Sequence, residues 1–324
     1  MKQNKVWTLS ALLALQLVAA ILLTLDYRRQ DQSHTQGPLL ALEKEAVDRI
    51  LIQEPDEPAL ELIRQDNRWI LPGYYNLAAQ QSRINTLLNS LDALERDWPV
   101  ATTATTAKRF EVTEEKYQRK LQLKQGDNTL ATLYLGTSPA MNKTHVRLDG
   151  EDEVYALGLN HHEVPVQAQS WMDTGLLKVD TEQLSGIQGP DFVLRKADQL
   201  WELDGLAEQE ETNNQAVQDL LSGLGNLRFQ EALGTEAKPE YGLKQPVLAL
   251  DLQSDGKTVS YHFGKPEDGD YYVVKSSELA PYFKVSASLV DKLVKLKRDS
   301  LAKLKEQSVE NESPDEEQPA EATS

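Results

Sequence analysis

Few residues in this chain combine types and spacing that could do chemistry. The strongest metal or acid–base candidate is His161-His162-Glu163. Adjacent histidines on a strand or helix point in different directions, whereas chelation favours spacings such as i, i+4. The triplet therefore reads as a polar loop ahead of a helix, and His34, His145 and His262 have no companion at chelating spacing. Asp255-Gly256-Lys257-Thr258 resembles the end of a phosphate-binding loop, but Asp251 stands where such a loop needs its first glycine, so a hairpin turn is expected. Gly223-Leu224-Gly225 lacks the third glycine of a dinucleotide site, since Arg228 occupies that position. Glu267, Asp268 and Asp270 surround Gly269 without the further oxygens and distal Glu of a calcium loop. Gly136-Thr137-Ser138-Pro139-Ala140 lacks the closing glycine of a nucleophile elbow. Asp173 and Asp299 could suggest a carboxylate pair, but they sit at matching places in an internal repeat and read more simply as caps or ion-pair partners.

Composition narrows the chemistry further. The 324-residue chain contains no cysteine, which removes disulfides, thiolate metal sites, thiol nucleophiles and a lipid-anchored cysteine. Its 51 acidic residues against 34 basic ones give a net charge of −17, which disfavours contact with phosphate backbones, so no nucleic-acid partner is expected. No cofactor or metal is expected, and the chain does not read as an enzyme. Trp69, Trp201, Tyr155 and Tyr282 recur at matching repeat positions. Aromatics placed in this way more often fill equivalent core sites than bind a ligand.

The elements that must position these residues begin with an uncharged run, Val6 to Leu25. Twenty helical residues span about 30 Å, the hydrocarbon thickness of a bilayer. A retained signal-anchor is expected. The rival is a signal peptide cleaved after Val18-Ala19-Ala20, but Ile21-Leu22-Leu23 continues the apolar core beyond that site. Lys2 and Lys5 lie before the run, and Arg28 and Arg29 after it are partly offset by Asp26 and Asp31, so charge alone barely orients it. Because large domains translocate largely regardless of charge, the bulk of the chain is expected outside the cytoplasm. Gln16 lies mid-run, sharing a helical face with Ala19 and Ala20, and could pair with a partner helix. After Leu304 the composition turns acidic and poor in apolar residues, as in a disordered tail.

Between the two ends runs an internal repeat. Arg68-Trp69-Ile70-Leu71 precedes a leucine-rich segment ending at Leu94, as Leu200-Trp201-Glu202-Leu203 precedes one ending at Leu227. Phe110-Glu111-Val112 then matches Tyr241-Gly242-Leu243, Leu133-Tyr134-Leu135-Gly136 matches Tyr261-His262-Phe263-Gly264, and Tyr155 matches Tyr282. Alternating apolar residues predict strands over 47–53, 60–64, 68–71, 120–124, 130–135, 145–148 and 154–157, and later over 247–252, 259–263 and 271–275. Helical spacing predicts helices over 78–94, 214–227 and about 287–304. The expected class is α+β: two tandem β-rich repeats, each made of strands, one helix and a β-meander, after an N-terminal transmembrane helix. The expected divisions are an anchor over 1–27, a tether over 28–44, repeats over 45–180 and 181–304, and the acidic tail over 305–324.

The strands ending Arg68-Trp69 and Leu200-Trp201, the leucine-rich helices after them, the Tyr241-Gly242-Leu243-Lys244-Gln245-Pro246 step, the strand ending Phe263-Gly264 and the strand Tyr271-Tyr272-Val273-Val274 resemble the bacterial domain of unknown function 4340 (DUF4340) family. The resemblance covers roughly residues 45–304 in two copies, and the first copy lacks the proline of that step. Members look like accessory proteins of ABC-type transport systems, with no catalytic residues to carry over. The resemblance thus implies a non-catalytic accessory or scaffold component of an envelope ABC-type transport system, which the apolar run would anchor in the bacterial inner membrane with its domain periplasmic. Its partner would be a transporter permease or a second copy of the chain. The alternatives are an extracytoplasmic binding module for an envelope glycan or lipid-linked ligand, and a hydrolase with a dispersed site.

Overall fold

The computed structural model describes Gln16 and residues 37–305. The apolar run expected to be an anchor therefore lies outside the described residues, Ala19 and Ala20 included, save Gln16, which is helical and exposed. No helix among the described residues is long and apolar enough to cross a membrane. The chain is α+β, dominated by two large antiparallel sheets, and divides into two compact units between Asp173 and Thr174.

The first unit contains β1 (Gly37–Pro38), β2 (Arg49–Gln53), β3 (Leu60–Gln65), β4 (Arg68–Leu71), β5 (Leu77–Ala78), helix α1 (Gln81–Asp92), β6 (Glu95–Arg96), helix α2 (Ala104–Arg109), β7 (Arg119–Gln125), β8 (Asn128–Leu135), β9 (Thr144–Leu148) and β10 (Val154–Leu157). Its sheet runs β10-β9-β8-β7-β2-β3-β4-β5, two meanders joined where β2 pairs with β7. The turns explain the tight connections. Asp66 and Asn67, both at positive φ, link β3 to β4, and Gly126 at φ 57° helps link β7 to β8. Helix α1 buries Ile84, Leu87, Leu88 and Leu91, the face that its spacing predicts. Each such side chain stabilises the fold by about 1.5–3 kcal/mol when withdrawn from water.

The second unit contains β11 (Leu184–Gln188), β12 (Val193–Ala197), β13 (Leu200–Leu203), β14 (Glu210–Thr212), helix α3 (Asn214–Gly225), β15 (Phe229–Gly234), β16 (Leu248–Ser254), β17 (Lys257–Gly264), β18 (Tyr271–Ser276), β19 (Tyr282–Ser286), helices α4 (Ala287–Lys295) and α5 (Arg298–Leu301), and β20 (Ala302–Leu304). Its sheet order is β13-β12-β11-β16-β17-β18-β19-β15. Read from the other edge, seven of these strands follow the order found in the first sheet. The chain at Ala101 also bridges Val154 of β10, much as β15 pairs with β19.

Two expectations need correction. The closing helix predicted over 287–304 stops at Lys295, Leu296 and Lys297 are extended, and the chain resumes as one turn of α5 and then β20. The physical reason is pairing: Ala302–Leu304 are drawn into a ladder with β14, reinforced by the Arg298–Glu210 and Lys303–Glu211 ion pairs. Cross-strand register also separates two residues that sequence alone aligns. Tyr155 lies opposite Val146, whereas its counterpart by register is Phe283, opposite Val274; Val154 is the counterpart of Tyr282.

Candidate functional site

In the second unit, three neighbouring strands place a row of side chains on one face of the sheet. His262 pairs directly with Lys275, and Tyr282 continues the row one step past the Val274–Phe283 pair. Small residues flank the row: Ala249 lies opposite His262, and Gly234 opposite Tyr282. Phe263, Val274 and Phe283 alternate to the other face and are buried there. The segment carrying the one-turn helix Pro239–Tyr241 folds over the row. Between them is a cleft of about 300 Å³ lined by Ala237, Lys238, Pro239, Tyr241, Leu243, Lys244, His262, Lys275 and Tyr282.

Two glycines allow that segment to lie so close. Gly242 has φ 69°, and a Cβ there would stand 2.6 Å from the Lys265 carbonyl oxygen. A Cβ on Gly264, at the end of β17, would overlap the Tyr241 carbonyl oxygen. The backbone thus seats Tyr241, which is buried, with its hydroxyl donating to the Leu233 carbonyl at 3.3 Å. Its ring meets Tyr282 at 5.3 Å between centroids, tilted by 44°.

The cleft is cationic in an otherwise acidic chain. Lys238 stands 5.9 Å over the Tyr241 ring and Lys275 5.4 Å over the Tyr282 ring, both within cation–π range. Lys275 donates to the Leu279 and Ala280 carbonyls, which holds its ammonium beneath the β18–β19 connection. Burial pulls Lys275 below its ordinary value, and burial likewise pushes the Tyr241 hydroxyl up, with Lys238 opposing. Among the described residues no carboxylate lines the cleft, although Glu240 between Pro239 and Tyr241 acts on the Tyr241 hydroxyl, and Lys238, Lys244 and Lys275 join no ion pair.

The first unit closes the same place. Its corresponding row is Lys120, Tyr134, Arg147 and Val154, ending at Ala101. Tyr134 and Val154 are buried with Ala107 and Val112, against Ala101, Phe110 and Tyr117. Helix α2 precedes Phe110 here, where the second unit has only the single turn ending at Tyr241. Phe110 stacks on His145 at 3.9 Å, and burial holds that imidazole below its ordinary value. Arg147 is tied to the Val112 carbonyl at 2.6 Å and the Glu151 carbonyl at 2.8 Å. The close approach recurs, since a Cβ on Gly136 would overlap the Phe110 carbonyl oxygen.

The residues singled out from sequence are dispersed. His161–Glu163 form a 3₁₀ turn capped by Asn160, whose backbone N–H donates to Glu163 at 2.9 Å. No group of three metal-capable side chains gathers among the described residues. Asp255 and Gly256, both at positive φ, turn β16 into β17, and Gly223 and Gly225 lie in α3, where Gly223 faces Leu293 of α4. Glu267, Asp268 and Asp270 lie between β17 and β18, Asp173 ends the first unit and Asp299 lies in the first turn of α5. Trp69, Trp201 and Tyr155 are buried, whereas Tyr282 is half-buried and lines the cleft. Tyr155 also receives a hydrogen bond from Arg96, whose guanidinium is held by Glu151 through bonds of 2.7 and 2.8 Å. Sequence reasoning missed the cleft lysines. The one available signal was the Tyr241-Gly242-Leu243-Lys244 step, which brings an aromatic and a cation together.

No curated protein and no solved structure matches the chain. Residues 69–246 match the family model described as "Domain of unknown function (DUF4340)". That span takes in more than half of the chain, from Trp69 of the first unit to the Tyr241–Lys244 wall of the cleft, and the chain belongs to the DUF4340 family.

Proposed function

We propose that this chain is a non-catalytic binding module of the bacterial envelope. The run from Val6 to Leu25 would hold it to the inner membrane, and both units would lie on the periplasmic side. One observation carries the binding reading: a site packed solid in the first unit is an open, cation-lined cleft in the second. Concave sites with a few convergent polar groups are the usual form of ligand pockets. The resemblance to accessory proteins of ABC-type systems supports a place beside a transporter permease, with the module presenting its ligand or docking there as a scaffold.

A photo-crosslinking residue at Lys244, on the exposed rim, tests this in intact cells. The expected result is an adduct with a permease subunit or an envelope ligand, absent when the crosslinker replaces Lys120, the closed row's lysine. Identical adducts from both positions, or none from either, would contradict the reading.

A further inference from the structure

The chemistry of the lining narrows what such a site would hold. Ala237, Pro239, Leu243 and the tyrosine rings make much of the wall apolar. One face of each ring meets an ammonium group, because Lys238 and Lys275 stand over Tyr241 and Tyr282. The tilt between the two rings also leaves no parallel slot for a planar aromatic ligand. What the tyrosines do is hold positive charge at the edge of an apolar wall. Lys244 and His262 are exposed and add two further nitrogen donors, while Lys275 retains one N–H beyond its two carbonyl bonds. In a chain of net charge −17, such a gathering of cationic donors favours an anion over a cation, even with Glu240 beside the lining.

We propose that the cleft binds an oxyanion joined to a small apolar body: an organic phosphate or carboxylate, whether free in solution or displayed by a lipid. The oxyanion would accept from Lys238, Lys244 and the remaining Lys275 N–H, and the apolar body would lie on Leu243 and Pro239. This rests on the binding reading above and gives its ligand a chemical class.

The test uses the full chain in phosphatidylcholine nanodiscs, labelled with 3-fluorotyrosine, with the Tyr241 and Tyr282 fluorine resonances assigned through single Tyr→Phe variants. The probes are butyl phosphate, inorganic phosphate and butan-1-ol. Saturable shifts with butyl phosphate are expected, weaker ones with inorganic phosphate, and none with the alcohol. The paired change Lys238→Gln and Lys244→Gln should weaken butyl phosphate binding at least tenfold, while Lys120→Gln in the first unit leaves it unchanged. A second arm replaces the lipid with phosphatidylglycerol. A shift there before any probe is added points to a lipid-borne oxyanion, and a shift only with soluble probe points to a free one; either supports the proposal. Equal shifts with butanol and butyl phosphate, or affinity untouched by the lysine changes, would overturn the anionic ligand class. If the crosslink at Lys244 survives while these titrations fail, the site binds something, but not an anion of this class.

Discussion

Gly264→Ala is expected to destabilise the second unit by about 3 kcal/mol, near the top of the usual range for overpacking. The added methyl would overlap the Tyr241 carbonyl oxygen and crowd Leu243, and the main obstacle is backbone, which cannot turn aside as a side-chain tip can. Gly136→Ala meets the Phe110 and Glu111 carbonyl oxygens and should cost the first unit a similar amount. The control is Gly256→Ala, where φ is 76° but nothing lies within 4 Å. That change carries only the left-handed backbone penalty, about 1–2 kcal/mol. Urea unfolding followed by hydrogen exchange separates the two units. Should Gly264→Ala cost no more than Gly256→Ala, the close approach of the Tyr241 segment to β17 does not exist in solution. The same variant should lose butyl phosphate binding, because the segment it displaces forms one wall of the cleft.

Trp171→Ala should cost about 4 kcal/mol, within the range for removing a fully buried tryptophan. Its side chain is 0% exposed, its indole N–H donates to the Pro165 carbonyl at 2.8 Å, and Arg83 of α1 lies 5.3 Å over the ring. Its backbone carbonyl accepts from Gln80 at 2.7 Å, at the start of α1. The residue therefore joins the end of the first unit to its main helix by packing and by hydrogen bonding. Trp171→Phe keeps part of the volume and loses the Pro165 bond, so an intermediate cost is expected. A loss below about 1 kcal/mol for the alanine variant would mean that the site collapses around the missing ring.

Much of the fold can be read from the sequence where local and tertiary preferences agree. Both tryptophans follow a two-residue turn at positive φ, Asp66-Asn67 before Trp69 and Asp198-Gln199 before Trp201. They occupy corresponding ladder positions, opposite Arg64 and Lys196. The helical face of α1 is visible because its own spacing fixes it, and the matching Gly136 and Gly264 are visible through the repeat, although what requires them is the distant Phe110 and Tyr241 backbone. The end of the chain is not, because Ala302–Leu304 become a strand only through pairing with β14, and periodicity cannot report a partner about ninety residues away.

The cleft was hidden for a related reason. His262, Lys275 and Tyr282 belong to three different strands, and only the ladder register sets them side by side. Taken singly, His262 has no companion, Lys275 is one more surface cation and Tyr282 a repeat aromatic. Aligning the tyrosines of the two copies hid the difference between them, because the register counterpart of Tyr282 is Val154, a residue of the closed core. The substitution of a buried valine by a half-exposed tyrosine is part of what turns a core into a cleft.

The most direct test of the account is native mass spectrometry of the full chain purified from its own cells with its ligands retained, beside a His262→Trp variant. His262 is exposed and its side chain lines the cleft, so a tryptophan there fills the space without entering the core. The account predicts a ligand-bound mass for the native chain that is absent from the variant, with both chains folded. The same bound mass in both, or the bare mass in both, would contradict a binding role for the second unit's cleft.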